Sequence, residues 1–302
     1  MKPTEQKKTA PWAAYIGILT AAALWGIIGI WNRQLMALGL SPTGIVAVRN
    51  FGGMALLAVI FAVKDRSVFR VRKAHLKYFF GTGIVSVVLF TVCYFSCQKL
   101  CSLAVASILL YTAPSFVVVM SAILWKDKLT KNKILALLLA LVGCALVSGI
   151  VGGDLTVTVQ GFLFGIGSAF FYALYSIFGR YALAHYGSYT VTVWTFVFAG
   201  LGSLVFADIP VLLSALSEGK TALIALGLVI VATVLPYIFY TNGLSGLESG
   251  AASIIASVEP VVAALVGIFI FREKMTLWVG LGVICVLSGV VLLAGKDKNG
   301  KE

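Results

Sequence analysis

Long apolar runs alternate with short polar breaks along the whole chain. Ten runs stand out, at about 12–31, 44–63, 78–97, 102–125, 133–150, 161–183, 189–207, 221–243, 249–271 and 277–295. Each approaches or exceeds the ~20 residues that an α-helix needs to cross a ~30 Å hydrocarbon core. The third and fourth are joined only by "QKLC", and the seventh carries several threonines and ends near Asp208. The pattern predicts an all-α polytopic membrane protein with ten transmembrane helices.

Composition agrees. Of 302 residues, 60% are hydrophobic and 11% charged, against about 25% charged in a soluble domain. Mean hydropathy is +1.03. The net charge of +12 does not point to nucleic acid, because the basic residues sit in short connections, where Lys and Arg orient membrane helices. With the N-terminus placed inside, inner segments carry 17 Lys and Arg and outer ones carry 5. Both termini are therefore expected in the cytoplasm, with the chain integral to the plasma membrane. The first run has no small-residue cleavage site and reads as a retained helix. Cys93, Cys97 and Cys101 recur every four residues on one helix face. They fit packing better than a soft-metal site, because no His or Met cluster accompanies them. Neither metal nor cofactor is expected.

The chain repeats itself. Residues 103–149 laid over 249–295 share 11 identities. "LAVASILLYTAPSFV" lies over "SGAASIIASVEPVVA", and "WKDKLT" over "FREKMT". Pro114 meets Pro260, and a shift of 147 places Arg33 over Arg180. Two five-helix repeats follow, 12–150 and 161–295. Five is odd, so the second repeat enters the membrane from the opposite side and the two must be inverted. Inverted repeats around a midplane site are the architecture of alternating-access carriers.

Several short pieces carry a resemblance. Trp25-Gly26, Ser41-Pro42 followed by Arg49, "ASILLYTAP", the acidic turns at Asp127 and Glu273, and "EPV" at 259–261 occur in order. On these the chain resembles the EamA branch of the drug/metabolite transporter superfamily, over nearly all of residues 12–295. Asp127 stands where that family more often has Glu. The resemblance implies ten helices, a central cavity lined mainly by spans 1, 3, 4, 6, 8 and 9, cytoplasmic termini, and transport of amino acids or other small metabolites, often outward.

The polar residues point to the same six spans. Spans 5 and 10 hold almost nothing polar and can face lipid or a second copy, so a monomer or a homodimer is expected. Polar side chains in a bilayer turn toward the bundle or a wet cavity. The candidate substrate-binding residues are Trp25, Tyr94, Tyr111, Ser115, Tyr172, Ser176, Tyr237, Tyr240, Ser257 and Glu259. Tyr and Trp near span ends also form interface belts. That suits Trp12, Trp125 and Trp278, whereas Tyr111, Tyr172 and Tyr237 lie deeper. Pro114 and Pro260 remove helix hydrogen bonds in mid-span, which makes them candidate hinges or static kinks.

Two charges lie within spans. Glu259 sits ten residues from one end of its span, about 15 Å deep. It could bind a substrate amine, carry a proton, or cap freed backbone amides and hold the ninth span against its neighbours, and the structural or gating role is the favoured one. Arg49 is about 8 Å deep and either snorkels outward or holds a fixed positive charge near an outer vestibule. The leading expectation is a secondary transporter of small organic metabolites, an amino-acid or metabolite exporter with proton coupling open. The alternative is a carrier of a cationic amine or quaternary ammonium held by aromatic faces and Glu259. A membrane enzyme finds no mid-membrane His, paired carboxylate or nucleophile–base set to support it. The expected partners are a small-molecule substrate and the lipid bilayer.

The charge asymmetry makes a direct prediction. In a cysteine-free background, Ser217→Cys should react with an impermeant maleimide in intact cells and Gly300→Cys should not; the reverse labelling would overturn the assigned orientation.

Overall fold

The computed structural model describes residues 9–296. They form helices and no strand. In order these are α1 (Pro11–Ala37), α2 (Pro42–Lys64), α3 (Lys73–Leu100), α4 (Leu103–Trp125), α5 (Lys131–Val147), α6 (Val159–Leu183), α7 (Ser188–Phe206), α8 (Gly219–Leu244), α9 (Ser249–Phe269) and α10 (Leu277–Gly295). Among the described residues, nine of them are long and apolar enough to cross a membrane. The remaining one, α5, has 17 residues and is about 25 Å long. Lys2, Lys7, Lys8, Lys298 and Lys301, which entered the charge count, lie outside the described residues.

Large apolar side chains cover the outside. Val63, Leu163, Leu223, Phe269 and Val291 are all largely exposed, as are Leu138 on α5 and Ile284 on α10. Small residues fill the inside: Ala14, Ala21, Ala22, Ala136, Ala169 and Ala173 are fully buried. That inversion suits a bilayer, where lipid supplies no hydrophobic force between helices and small residues allow close approach.

The most extensive helix contacts all cross between the first and second halves of the chain. They pair α1 with α8 and α9, α2 with α7, α3 with α6 and α7, α4 with α6 and α9, and α5 with α10. Glycines set several of these crossings. A Cβ on Gly143 of α5 would stand 2.7 Å from the Gly282 carbonyl of α10. On α6, Gly161 and Gly165 face Cys101 and Cys97, and Gly167 faces Cys93. The cysteine stripe and the glycines at 161 and 165, one helical turn apart, are therefore the two sides of one helix seam.

Five helices depart from regular geometry. α1 breaks at Ile27–Ile28 between Gly26 and Gly29. α4 stops at Leu110 and restarts at Ala113, while α9 stops at Ala256 and restarts at Glu259. Pro114 and Pro260 each fall in the first turn of the restarted helix, where a missing N–H costs no internal bond. Tight bonds close both gaps, Thr112 N–H to Leu109 C=O at 3.1 Å and Val258 N–H to Ile255 C=O at 3.2 Å. α3 and α8 contain wide π turns at Gly81–Val88 and Ile230–Val234.

The matched "DKLT" and "EKMT" segments have one structure. Thr130 accepts the Lys133 N–H and Thr276 the Val279 N–H, both at 3.2 Å, capping α5 and α10. Just before them, Lys126 (φ 58°) and Arg272 (φ 59°) are left-handed, a conformation that costs a non-glycine residue roughly 1–2 kcal/mol. The reversal folds the next residue, Asp127 or Glu273, back along its own helix. One element was absent from the apolar pattern: a short linking helix, Ile209–Ser217, started by Asp208 accepting the Val211 N–H. It is too short to span, and it seats buried Leu212 against Gly44 of α2.

The α5–α10 contact has no room for a side chain. Gly143→Leu should lower the midpoint of thermal unfolding in detergent, by an amount matching ~1–3 kcal/mol of overpacking, with Gly219→Ala, where a side chain meets open space, as the comparison.

Candidate functional site

A cavity of about 480 Å³ lies in the middle of the bundle. It is lined by residues of α1, α2, α3, α4, α6, α8 and α9. Its mouth is framed by Arg33 and Met36 of α1, Pro42 of α2, and Phe271 and Glu273 after α9. Its floor is aromatic and hydrogen-bonded. The Tyr240 and Ser176 hydroxyls meet at 2.8 Å, and those of Tyr175 and Thr241 at 2.6 Å. The Trp25 ring packs against Tyr237 and Tyr240 with centroids 5.3 and 5.4 Å apart. Tyr237 also meets Tyr175 edge-on at 5.2 Å.

The opposite wall is Phe90 and Tyr94 of α3, with Tyr172 of α6 set edge-on to Phe90 at 5.3 Å. Tyr111 lies at the break in α4 and Glu259 at the restart of α9. Both line the cavity. The Glu259 carboxylate begins a helix, where the positive end of the helix dipole favours an anion. Tyr172 of α6 shares both the cavity and its adjoining recess with it.

Eight of the ten candidate substrate residues line this one cavity: Trp25, Tyr94, Tyr111, Tyr172, Ser176, Tyr237, Tyr240 and Glu259. Ser257 does not; it is buried and lines a small adjoining recess with Pro114, Tyr111, Tyr172 and Glu259. Ser115 lines neither space. It follows the break in α4, which interrupts the register that would otherwise have placed it one turn below Tyr111. Pro260 is buried behind Glu259. Of the two hinge candidates, only Pro114 therefore borders the recess.

The residue that sequence reasoning left out of the site is Arg49. It lines the cavity from α2 and does not snorkel outward. Its Nε donates to the Thr233 hydroxyl at 3.2 Å. That hydroxyl donates in turn to the Leu228 carbonyl at 2.9 Å, five residues back on the π turn. The wide turn of α8 thus holds the guanidinium in place. A charge in mid-membrane costs at least about 2.5–3.5 kcal/mol, so Arg49 and Glu259 are costly features placed in a single cavity. Sequence offered one signal, an arginine inside an apolar run with no second face to choose.

Each end of the bundle carries a charged clasp. Beyond the floor, Arg180 of α6 grips Asp127 with both nitrogens, at 2.5 and 3.1 Å. Its guanidinium also covers the Trp125 ring at 4.3 Å. The Asp127 side chain is 8% exposed. At the mouth, Arg33 of α1 bonds Glu273 at 2.6 Å and covers the Phe271 ring at 3.8 Å. Both partners there are about half exposed, at 53% and 52%. Arg33 and Arg180 correspond in the internal duplication, as do Phe271 and Trp125, and Glu273 and Asp127. Each clasp joins one half of the chain to the other. An exposed single contact is worth ~0–1 kcal/mol, so the bidentate buried clasp is the firmer closure.

Comparison with known proteins gives matches over nearly the whole chain. The model of the EamA-like transporter family matches twice, at residues 12–149 and 159–295. An "uncharacterized transporter" of Archaeoglobus fulgidus is 30% identical over 279 residues, covering 91% of this chain and 94% of that protein. The "uncharacterized inner membrane transporter YicL" of Salmonella typhimurium is 26% identical over 286 residues, covering 92% and 94%. A crystal structure 18% identical in sequence superposes with a TM-score of 0.81 over 97% of this chain and 100% of its own, which shows a shared fold.

The cavity depends on a close approach of α1 to α9. A Cβ on Gly26 would stand 2.7 Å from the Glu259 carbonyl and 2.5 Å from Val262 Cβ. Gly26→Val should displace the start of the second half of α9. The expected readouts are a lower unfolding midpoint and changed Trp25 fluorescence, whereas Gly29→Val, in open space, should leave both near wild type.

Proposed function

The chain belongs to the EamA-like transporter family, and on that premise we propose that it is a secondary carrier of small organic metabolites, an amino-acid or metabolite exporter, working by alternating access. The supporting observation is the pair of corresponding clasps at the two ends of one central cavity. A carrier must close each end in turn around a fixed site, and inverted repeats supply two equivalent closures from one design. The duplicated sequence, the two matches of the family model and the cross-half helix pairing favour ten spans in two inverted five-helix repeats, 12–150 and 161–295. With cytoplasmic termini, as the Lys and Arg distribution favours, the cavity opens outward and the Arg180–Asp127 clasp closes the cytoplasmic side of the plasma membrane.

In this reading the halves rock about the cavity. Opening the inner end breaks Arg180 from Asp127 and draws Arg33 and Phe271 tighter over the mouth. The breaks in α1, α4 and α9 and the π turns in α3 and α8 supply the bending points, with Pro114 and Pro260 beside two of them. Substrate occupies the space between Glu259, Arg49 and the aromatic walls. The amine-cage alternative has less support, because Arg49 shares the cavity and repels a bare cation.

Flux and closure are separately measurable. Purified protein in liposomes should move at least one labelled compound from a panel of amino acids, amines and organic acids without ATP; no flux across the panel would count against a carrier. Asp127→Asn should strand the Arg180 charge and cut the exchange rate at least tenfold, with a stability loss of up to ~3–5 kcal/mol. The exchanged pair Asp127→Arg with Arg180→Asp should recover part of the rate if the contact is a working closure.

A further inference from the structure

Two fixed charges of opposite sign face the same cavity, yet they do not meet. The ion pairs among the described residues join Arg33 to Glu273, Lys133 to Glu248 and Arg180 to Asp127. Arg49 and Glu259 line the cavity together. A carboxylate and a guanidinium that share one confined cavity attract each other, the more strongly the lower the local dielectric. The structure holds each of them back. Arg49 is tied through Thr233 to the π turn of α8, at 3.2 Å and then 2.9 Å. Glu259 is fixed at the restart of α9, on a wall it shares with Tyr172.

Resting on the carrier reading above, the geometry points to a zwitterion clamp: the cavity binds a net-neutral solute that presents an ammonium to Glu259 and a carboxylate to Arg49. A guanidinium's planar fork suits a carboxylate. A carboxylate beside ring faces suits an ammonium. Such a ligand bridges the two charges and leaves neither unpaired. A simple amine would satisfy Glu259 and stand against Arg49, and a simple carboxylic acid would do the converse. Specificity would then come from rejecting every ligand with a single charge, because such a ligand strands one buried charge. Phe90, Leu110, Ala263 and Val266 supply apolar surface for a side chain between the charges.

Binding by purified protein tests the clamp without requiring transport. The probes are leucine, methionine and phenylalanine, each with its decarboxylated amine and its deaminated acid, read by Trp fluorescence and thermal shift. Wild type should bind at least one zwitterion ten or more times tighter than the matching amine and acid. Arg49→Gln should erase the preference over the amine alone, and Glu259→Gln the preference over the acid alone. Arg49→Lys, which keeps the charge and guards against simple misfolding, should retain part of the zwitterion preference. Equal or tighter binding of the amine or acid by wild type would overturn the clamp, as would unchanged selectivity in both Gln variants or no binding by any zwitterion. If liposome flux persists for some other class of solute, the carrier reading stands and the clamp alone fails; if nothing moves, the carrier reading itself fails.

Discussion

Hydrocarbon offers no hydrogen bonds, and most of this structure answers to that fact. A lipid-facing backbone group without a partner costs several kcal/mol, so irregular backbone is tolerated only where protein or a wet cavity surrounds it. Here the irregular stretches gather at one place. The break in α1, the restarts of α4 and α9 and the π turns of α3 and α8 all belong to helices that line the central cavity. By contrast α5 and α10, which expose Leu138 and Ile284, run without interruption. Freed carbonyls and wide turns are then put to use. The Leu228 carbonyl holds Thr233, and Thr233 holds Arg49.

The second organising feature is that neither half packs mainly on itself. Small residues let helices of opposite halves approach closely, as at Gly143 with Gly282 and Gly26 with Glu259. Because the halves interleave, any motion of one against the other passes through the cavity and through both clasps. The clasps are alike in chemistry and unequal in setting. Asp127 is buried and held bidentately, while Glu273 is half in solvent. That difference matches the one-sided opening of the cavity at the Arg33 end.

A large part of the fold was legible along the chain. Apolar run length located the spans, and the near absence of polar residues marked α5 and α10 as outward-facing. The prolines marked the restarts of α4 and α9. Deep tyrosines at helical spacing identified most of the cavity wall. What escaped the sequence depended on rotation or on distant partners. A break in α4 took Ser115 out of line with Tyr111, and no residue pattern states how far a break rotates the next turn. Cys93, Cys97 and Cys101 read as packing residues, but their partners Gly167, Gly165 and Gly161 came only with the structure.

Arg49 and the clasps show where the boundary lies. By itself the sequence determined that the chain spans a membrane repeatedly, that it is duplicated, and that two charges sit where charges are costly, because hydropathy, repeat and depth are properties of a linear string. Only the tertiary structure decided that Arg49 faces the cavity of Glu259, and that Arg33 reaches Glu273 and Arg180 reaches Asp127. The clasp partners lie 240 and 53 positions apart. Their meeting depends on how one half of the chain is turned against the other, and packing fixes that angle where hydropathy cannot.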